Sequence, residues 1–377
     1  MMKATFLSVL AFGACGFANV FAHPLASGDE PADREALRQH ILEEWVARQA
    51  TSNFQHGDAS PVQVVSAASS VPLVAAAAAA QSAAQAPATA KPFQSFSRLQ
   101  LTWDKDFLHV GSNGLPDHKM MVGITAWQQQ VPLPQSYFGD NAWRLPLNPV
   151  PAKTPAMIKG HFLRGAIALA VNGIPIFNPQ NNRGEVSAEI GELDQWGGHC
   201  GRADDYHYHV VPLHLQTAAG KGMPVAFALD GYPIYGLTEP DGSPVGELDV
   251  CHGHELPGIG YHYHASKKYP YVIGGFHGEV VEAGGQVDPQ PRAQPLRQAL
   301  PPLRGAEITG FESTSANGHA LHYTVGGEKC SVVYSINADG SWSFEFNNGS
   351  EGAAKEVYSP RVGGGAGNGR PRPRDPR

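Results

Sequence analysis

Cysteine is scarce in this sequence, with four among 377 residues. One of them, Cys15, falls in the leader described below, and the three that remain leave room for one disulfide at most. Strongly basic runs are missing until the last few residues, and the formal charge is −7 with a pI of about 6.2. That balance excludes the electrostatic footprint of a nucleic-acid partner and mildly favours cations. Long apolar runs are missing too. The best stretch after the leader, Val71 to Ala80, is alanine-rich and interrupted by Pro72, so no membrane span is expected. A Gly-x-Ser-x-Gly elbow, a His-Glu-x-x-His pair, a phosphate loop and a dinucleotide fingerprint are all absent, which removes the commonest enzyme signatures.

What is present is a chain that is 42% hydrophobic, enough for a sizeable core, with 43 glycines and 31 prolines unevenly placed. Residues 1–22 read as a secretory signal: Lys3, an apolar run from Thr5 to Phe12, and a cleavage site at Val20-Phe21-Ala22 before His23. A lipoprotein signal ending at Cys15 is the competing reading, weakened by Phe12 three places before that cysteine. The protein is therefore expected in the periplasm or outside the cell. Residues 23–50 carry an amphipathic helix, with Leu37, Ile41, Leu42, Trp45 and Val46 on one stripe. Residues 51–92, rich in Ala, Ser, Gln and Pro, read as a disordered linker.

From Phe93 the texture becomes β, in short apolar runs such as Leu99–Trp103, Phe107–Val110, Ile167–Val171, Val225–Leu229 and Val280–Glu282. The main domain is placed at 93–282 and a Pro-rich linker at 283–305. A small antiparallel meander follows at 306–360, with a tight turn at Asn337-Ala338-Asp339-Gly340, and then a disordered Gly/Pro/Arg tail at 361–377.

The strongest signal is a repeat. Gly191-Glu192-Leu193-Asp194 returns as Gly246-Glu247-Leu248-Asp249. Gly198-His199 returns as Gly253-His254, and Tyr206-His207-Tyr208-His209 as Tyr261-His262-Tyr263-His264, all at an offset of 55. Ten of nineteen positions between 191–209 and 246–264 are identical without a gap. Upstream, 171–177 answers 229–235 at an offset of 58. Two repeats, near 166–212 and 224–270, are thus expected to pack about a pseudo-twofold axis. The fold class is mainly β, an internally duplicated domain with a small C-terminal meander and an N-terminal helix.

In an extended strand alternate side chains share a face, so His207 and His209 point one way and Tyr206 and Tyr208 the other. His199 adds a third imidazole, and His254, His262 and His264 form the matching set. Three neutral imidazoles suit zinc or copper better than calcium or magnesium. Asp194 and Asp249, five residues before the Gly-His histidines, are expected either to accept the free imidazole N–H or to ligate directly. His118 and His252 are alternative ligands. Cys200 and Cys251 fall at related places in the repeats and form the preferred disulfide, which leaves Cys330 free. Asp230, in Asp-Gly-Tyr-Pro-Ile-Tyr, is read as a turn organiser. The bland alternative is a metal-free network of hydrogen-bonded His and Tyr side chains.

These motifs resemble the family named for its YHYH motif, largely uncharacterised, mostly bacterial exported proteins. The resemblance runs from about Phe93 to Glu282. It rests on Ser112-Asn113-Gly114-Leu115-Pro116-Asp117-His118, Val171-Asn172-Gly173, both YHYH blocks, 230–236 and Tyr269-Pro270-Tyr271. The family's Asp-x-Cys-x-Gly-His pattern is met by Asp249, Cys251, Gly253 and His254. In the first block Trp196 takes the cysteine's place. Three functions stay open: an exported metal-binding protein in a structural or trafficking role, a metalloenzyme, and a metal-free adhesion or carbohydrate-binding module.

Overall fold

The computed structural model describes residues 85–315 and 317–360. The leader, the amphipathic helix at 23–50, the linker as far as residue 84 and the tail at 361–377 lie outside the described residues. The last part of the expected linker is not free chain. Residues 88–95 form two 3₁₀ turns that bury Ala90, Pro92 and Phe93, and Phe93 stacks on Phe227 with ring centroids 5.6 Å apart.

The molecule is mainly β. Strands β1 (Gln100–Trp103), β2 (Phe107–Gly111) and β3 (Trp143–Pro146) form a small antiparallel sheet, and β4 (Pro151–Met157) follows it. The central sheet has eight strands: β5 (Ala166–Ala170), β6 (Pro175–Phe177), β7 (Gly198–Cys200), β8 (Tyr206–Tyr208), β9 (Ala226–Ala228), β10 (Pro233–Tyr235), β11 (Gly253–Leu256) and β12 (Gly260–His264). Their spatial order is β11-β12-β10-β9-β5-β6-β8-β7. Outward from the middle the two halves connect alike. β5 and β9 each pair antiparallel with the next strand in sequence, β6 and β10 lie parallel to β8 and β12, and each half ends on an antiparallel hairpin. The register repeats as well: Ile176 faces Tyr208 where Ile234 faces Tyr263, and His199 faces His207 where His254 faces His262.

The middle strands explain their own position. Every residue of β5 and β9 is buried, and both are short apolar runs without alternation, the pattern of strands covered on both faces. The flanking hairpins carry the polar side chains.

Strand β13 (Gly275–Gly278) pairs with β4, and β14 (Glu282–Ala283) with β15 (Gln286–Val287). The C-terminal meander is a five-stranded antiparallel sheet of β16 (Glu307–Ser315), β17 (Gly318–Val325), β18 (Glu328–Ile336), β19 (Trp342–Asn347) and β20 (Ala353–Tyr358). It covers residues 120–133. Ile308 exchanges main-chain bonds with Gly123 and Ile124, and the Tyr334 hydroxyl donates to the Pro132 carbonyl at 2.9 Å. The Pro-rich run at 283–305, expected to be a linker, is held down by side chains. Gln290 bonds the main chain of Ala166, and Arg297 is buried against Asp204. Prolines removed the periodicity that would have disclosed those contacts.

The expected Cys200–Cys251 disulfide is absent, and Cys200, Cys251 and Cys330 are all free thiols. Cys200 ends β7 and Cys251 precedes β11, so they sit at opposite edges of the eight-stranded sheet. Seven interstrand steps are on the order of 30 Å, whereas a disulfide needs Cα atoms within about 7 Å.

Candidate metal centres

Each hairpin builds one histidine cluster. In the first, antiparallel pairing sets His199 directly opposite His207, so both project from one face, and His209 follows two residues later on that same face. Phe177 of neighbouring β6 stacks on His207 at 3.8 Å and 15°. In the second, His254 stands opposite His262, His264 follows, and Tyr235 of β10 meets His262 edge-on at 5.3 Å. Ring centroids within the first set lie 4.9–5.0 Å apart and within the second 4.7–5.2 Å apart. One ligand atom from each member of a set lies within 4.8 Å of every other.

The orientation of the rings is fixed from behind. His207 Nδ1 faces the Asp205 carbonyl at 3.0 Å and His209 Nδ1 that of Asn178 at 2.5 Å. In the second set His262 Nδ1 faces the Gly260 carbonyl at 2.9 Å and His264 Nδ1 that of Gly236 at 3.1 Å. A carbonyl only accepts, so each of these Nδ1 atoms carries the proton, and in a neutral ring Nε2 is left as a bare lone pair. Those lone pairs point toward the third ring of each set. His209 Nε2 lies 3.0 Å from His199 Nε2, and His262 Nε2 lies 3.1 Å from His254 Nε2.

A carboxylate joins the second set. Glu239 Oε1 approaches His254 Nε2 at 3.1 Å, and its Oε2 approaches His262 and His264 Nε2 at 3.2 and 3.3 Å. Glu239 Oε1 and His264 Nε2 are buried without a hydrogen-bond partner, whereas Glu239 Oε2 and His262 Nε2 have hydrogen-bond geometry. Metal–nitrogen distances of about 2.0–2.1 Å in a tetrahedral shell put ligand atoms about 3.3 Å apart, close to the spacings found here. Burial pushes His209 down to about 3, helped by the neighbouring His207 and opposed by the Asn178 carbonyl. It also holds His199 well below the usual imidazole range and lowers His264. These rings are neutral near pH 7, the form that ligates.

Asp194 and Asp249 do not touch the imidazoles, contrary to expectation. Asp194 accepts the Tyr206 hydroxyl at 2.8 Å and the amides of Met121, Trp196 and Gly198. Burial raises its pKa to about 6, against those bonds. Asp249 accepts the Tyr261 hydroxyl at 2.9 Å and the amides of Cys251 and Gly253. They tie the hairpin turns to the tyrosine face. The same face explains the glycine of each Gly-His pair, since a Cβ on Gly198 or Gly253 would lie 2.5 Å from the Tyr206 or Tyr261 hydroxyl.

His118 lies on that opposite face, with Nε2 bonded to the Tyr208 hydroxyl at 2.8 Å and its ring stacked on Trp196. His252 bonds the His264 carbonyl through Nδ1 at 2.9 Å and steadies the strand without joining the cluster. Asp230 accepts the Tyr263 hydroxyl at 2.5 Å and the amides of Tyr232 and Gly278. Glu239 was not foreseen. The signal was available in the 58-residue offset, which aligns it with Asn181, but neither residue is part of a repeated block.

Residues 142–245 match a family model described as YHYH protein. The match takes in His199, His207, His209 and Glu239 and stops before the second YHYH block. Comparison with curated proteins gave no match, nor did comparison with solved structures. Over those residues, a little more than a quarter of its length, the chain is similar to the YHYH family.

Proposed function

We propose that this is an exported metal-binding protein in which two repeated halves, related by a pseudo-twofold axis, each gather three imidazoles around a transition-metal ion, zinc or copper. One observation carries the reading: in both clusters carbonyls hold the Nδ1 protons of two rings, so their Nε2 atoms turn toward the third ring, and one ligand atom from each of the three lies within 4.8 Å of the others. A shared proton satisfies one pair of these nitrogens, whereas a cation placed among them engages all three at once. In the second cluster a carboxylate adds its own negative charge to the same point. Imidazole nitrogen suits zinc and copper, and main-chain carbonyls behind the rings are the usual means of fixing a ligating tautomer. The leader sequence supports export. An adhesion module built on exposed tyrosines is disfavoured, because Tyr206, Tyr208, Tyr261 and Tyr263 are all buried.

Elemental analysis of untagged full-length protein, stripped with chelator and reloaded with zinc or copper, tests the reading. Two ions per chain are expected. His207→Ala/His209→Ala and His254→Ala/His262→Ala should each retain one. Uptake below half an ion per chain, or undiminished stoichiometry in both variants, would overturn it.

A further inference from the structure

Resting on that reading, we propose that the two centres are chemically unlike: the second closes on four protein ligands, whereas the first keeps a coordination position for an exchangeable small anion or water. The comparison turns on one residue. Asn181 and Glu239 occupy the same place in the same turn. Asn181 N donates to the Glu185 carbonyl at 2.8 Å, and Glu239 N to that of Ser243 at 2.9 Å. Gly184 N and Gly242 N return to Asn181 O and Glu239 O, each at 2.9 Å. Matching bridges, Gln180 to Val186 and Thr238 to Pro244, close both turns. The main chain is alike and the side chains differ.

Glu239 reaches all three imidazoles of its centre. Asn181 reaches none of those in the first, because both ends of its amide are engaged. Its nitrogen donates to Glu185 and Glu192, and its oxygen accepts the amides of Arg183 and Glu185. The buried acid on that side, Glu192, is turned away as well. Its oxygens take the Arg183 guanidinium at 2.7 Å and the Ser187 hydroxyl at 3.1 Å, and Arg183 cancels its charge. Among the described residues no carboxylate completes the group of His199, His207 and His209.

Charge then decides what fills the gap. A divalent ion on three neutral imidazoles has no protein anion among its ligands, since Asp205 meets His207 only at Nδ1, 3.5 Å away, and a buried charge without a directly bound counter-charge is costly. A small anion, or a bound water that loses a proton to become one, removes that cost at the first centre. Glu239 already does so at the second. His199 and its counterpart His254 are both half-buried, so solutes reach either centre and the difference between them lies in Glu239.

Cobalt(II) as the metal and azide as the probe anion test this in the full chain by visible absorption. The wild-type protein is expected to bind two cobalt ions, of which one changes its spectrum saturably with azide. His254→Ala/His262→Ala should keep that response, and His207→Ala/His209→Ala should lose it. Glu239→Ala, which leaves both histidine sets intact, should raise the azide-responsive ions from one to two per chain. Equal responses at both centres, or none at either, would overturn the proposal while leaving metal binding intact. Failure to take up cobalt at all would overturn both readings.

Discussion

At the scale of single residues, burial sets the protonation state of the histidines and gives the protein a pH dependence with a definite sign. His118 is the clearest probe because it touches the tyrosine face and neither cluster. Burial lowers its pKa to about 3 against a bond to the Lys119 carbonyl. The unfolded chain takes up that proton near pH 6.5, so between about 6.5 and 3 the unfolded state binds more protons. Stability from this residue is complete above 6.5 and is lost as the pH falls. Asp194, raised to about 6, acts in the opposite sense between 6 and its unfolded value of about 3.8. The contribution of His118 is therefore isolated by comparison with His118→Phe. In metal-free protein, urea unfolding at pH 7 and pH 5 should show the wild type losing up to about 1–2 kcal/mol more than the variant. Parallel losses would mean that His118 titrates normally. His207, His209, His262 and His264 were legible from strand alternation, since a period of two puts each pair on one face, and His199 and His254 from the repeated Gly-His blocks. The roles of Asp194 and Asp249 were not. Sequence spacing cannot say whether a carboxylate meets an imidazole or the phenol on the other side of the strand.

At the scale of elements, the two hairpins are alike inside and differ in what holds them. The first is clamped from outside. Arg297 donates to both oxygens of Asp204 at 2.8 and 2.9 Å, both side chains buried, in the turn joining β7 and β8. The next residue, Asp205, supplies the carbonyl that orients His207. The second hairpin turns through Pro257, Gly258 and Ile259, where among the described residues no such clamp is found. Removing one partner of a buried pair strands the other, at a cost of about 3–5 kcal/mol. Arg297→Met should lower unfolding free energy by that amount. It should also weaken metal binding at the first centre while sparing the second, which titration of the two double-alanine backgrounds separates. Equal weakening at both would mean that Arg297 acts on the fold as a whole. The repeat made the hairpins legible, because each is a contiguous block. Strand β20 escaped notice because it is nearly all exposed and shows no alternation.

At the scale of the whole molecule, one apolar core runs from the central sheet to the C-terminal sheet. Trp127 packs its ring 4.9 Å from Tyr323, and the segment between the sheets adds further contacts. Among the described residues no helix is long and apolar enough to cross a membrane. The paired centres ride on strands at opposite ends of the eight-stranded sheet, far enough apart for each to act with its own ligand set. The account stands on imidazole Nε2 atoms converging on an ion in both halves. Anomalous diffraction from crystals of the zinc-loaded protein reads that directly. The expected map has two peaks, each about 2.0–2.1 Å from three Nε2 atoms, the second also touching Glu239. Peaks lying elsewhere, or triads whose rings turn away from a shared point, would contradict it.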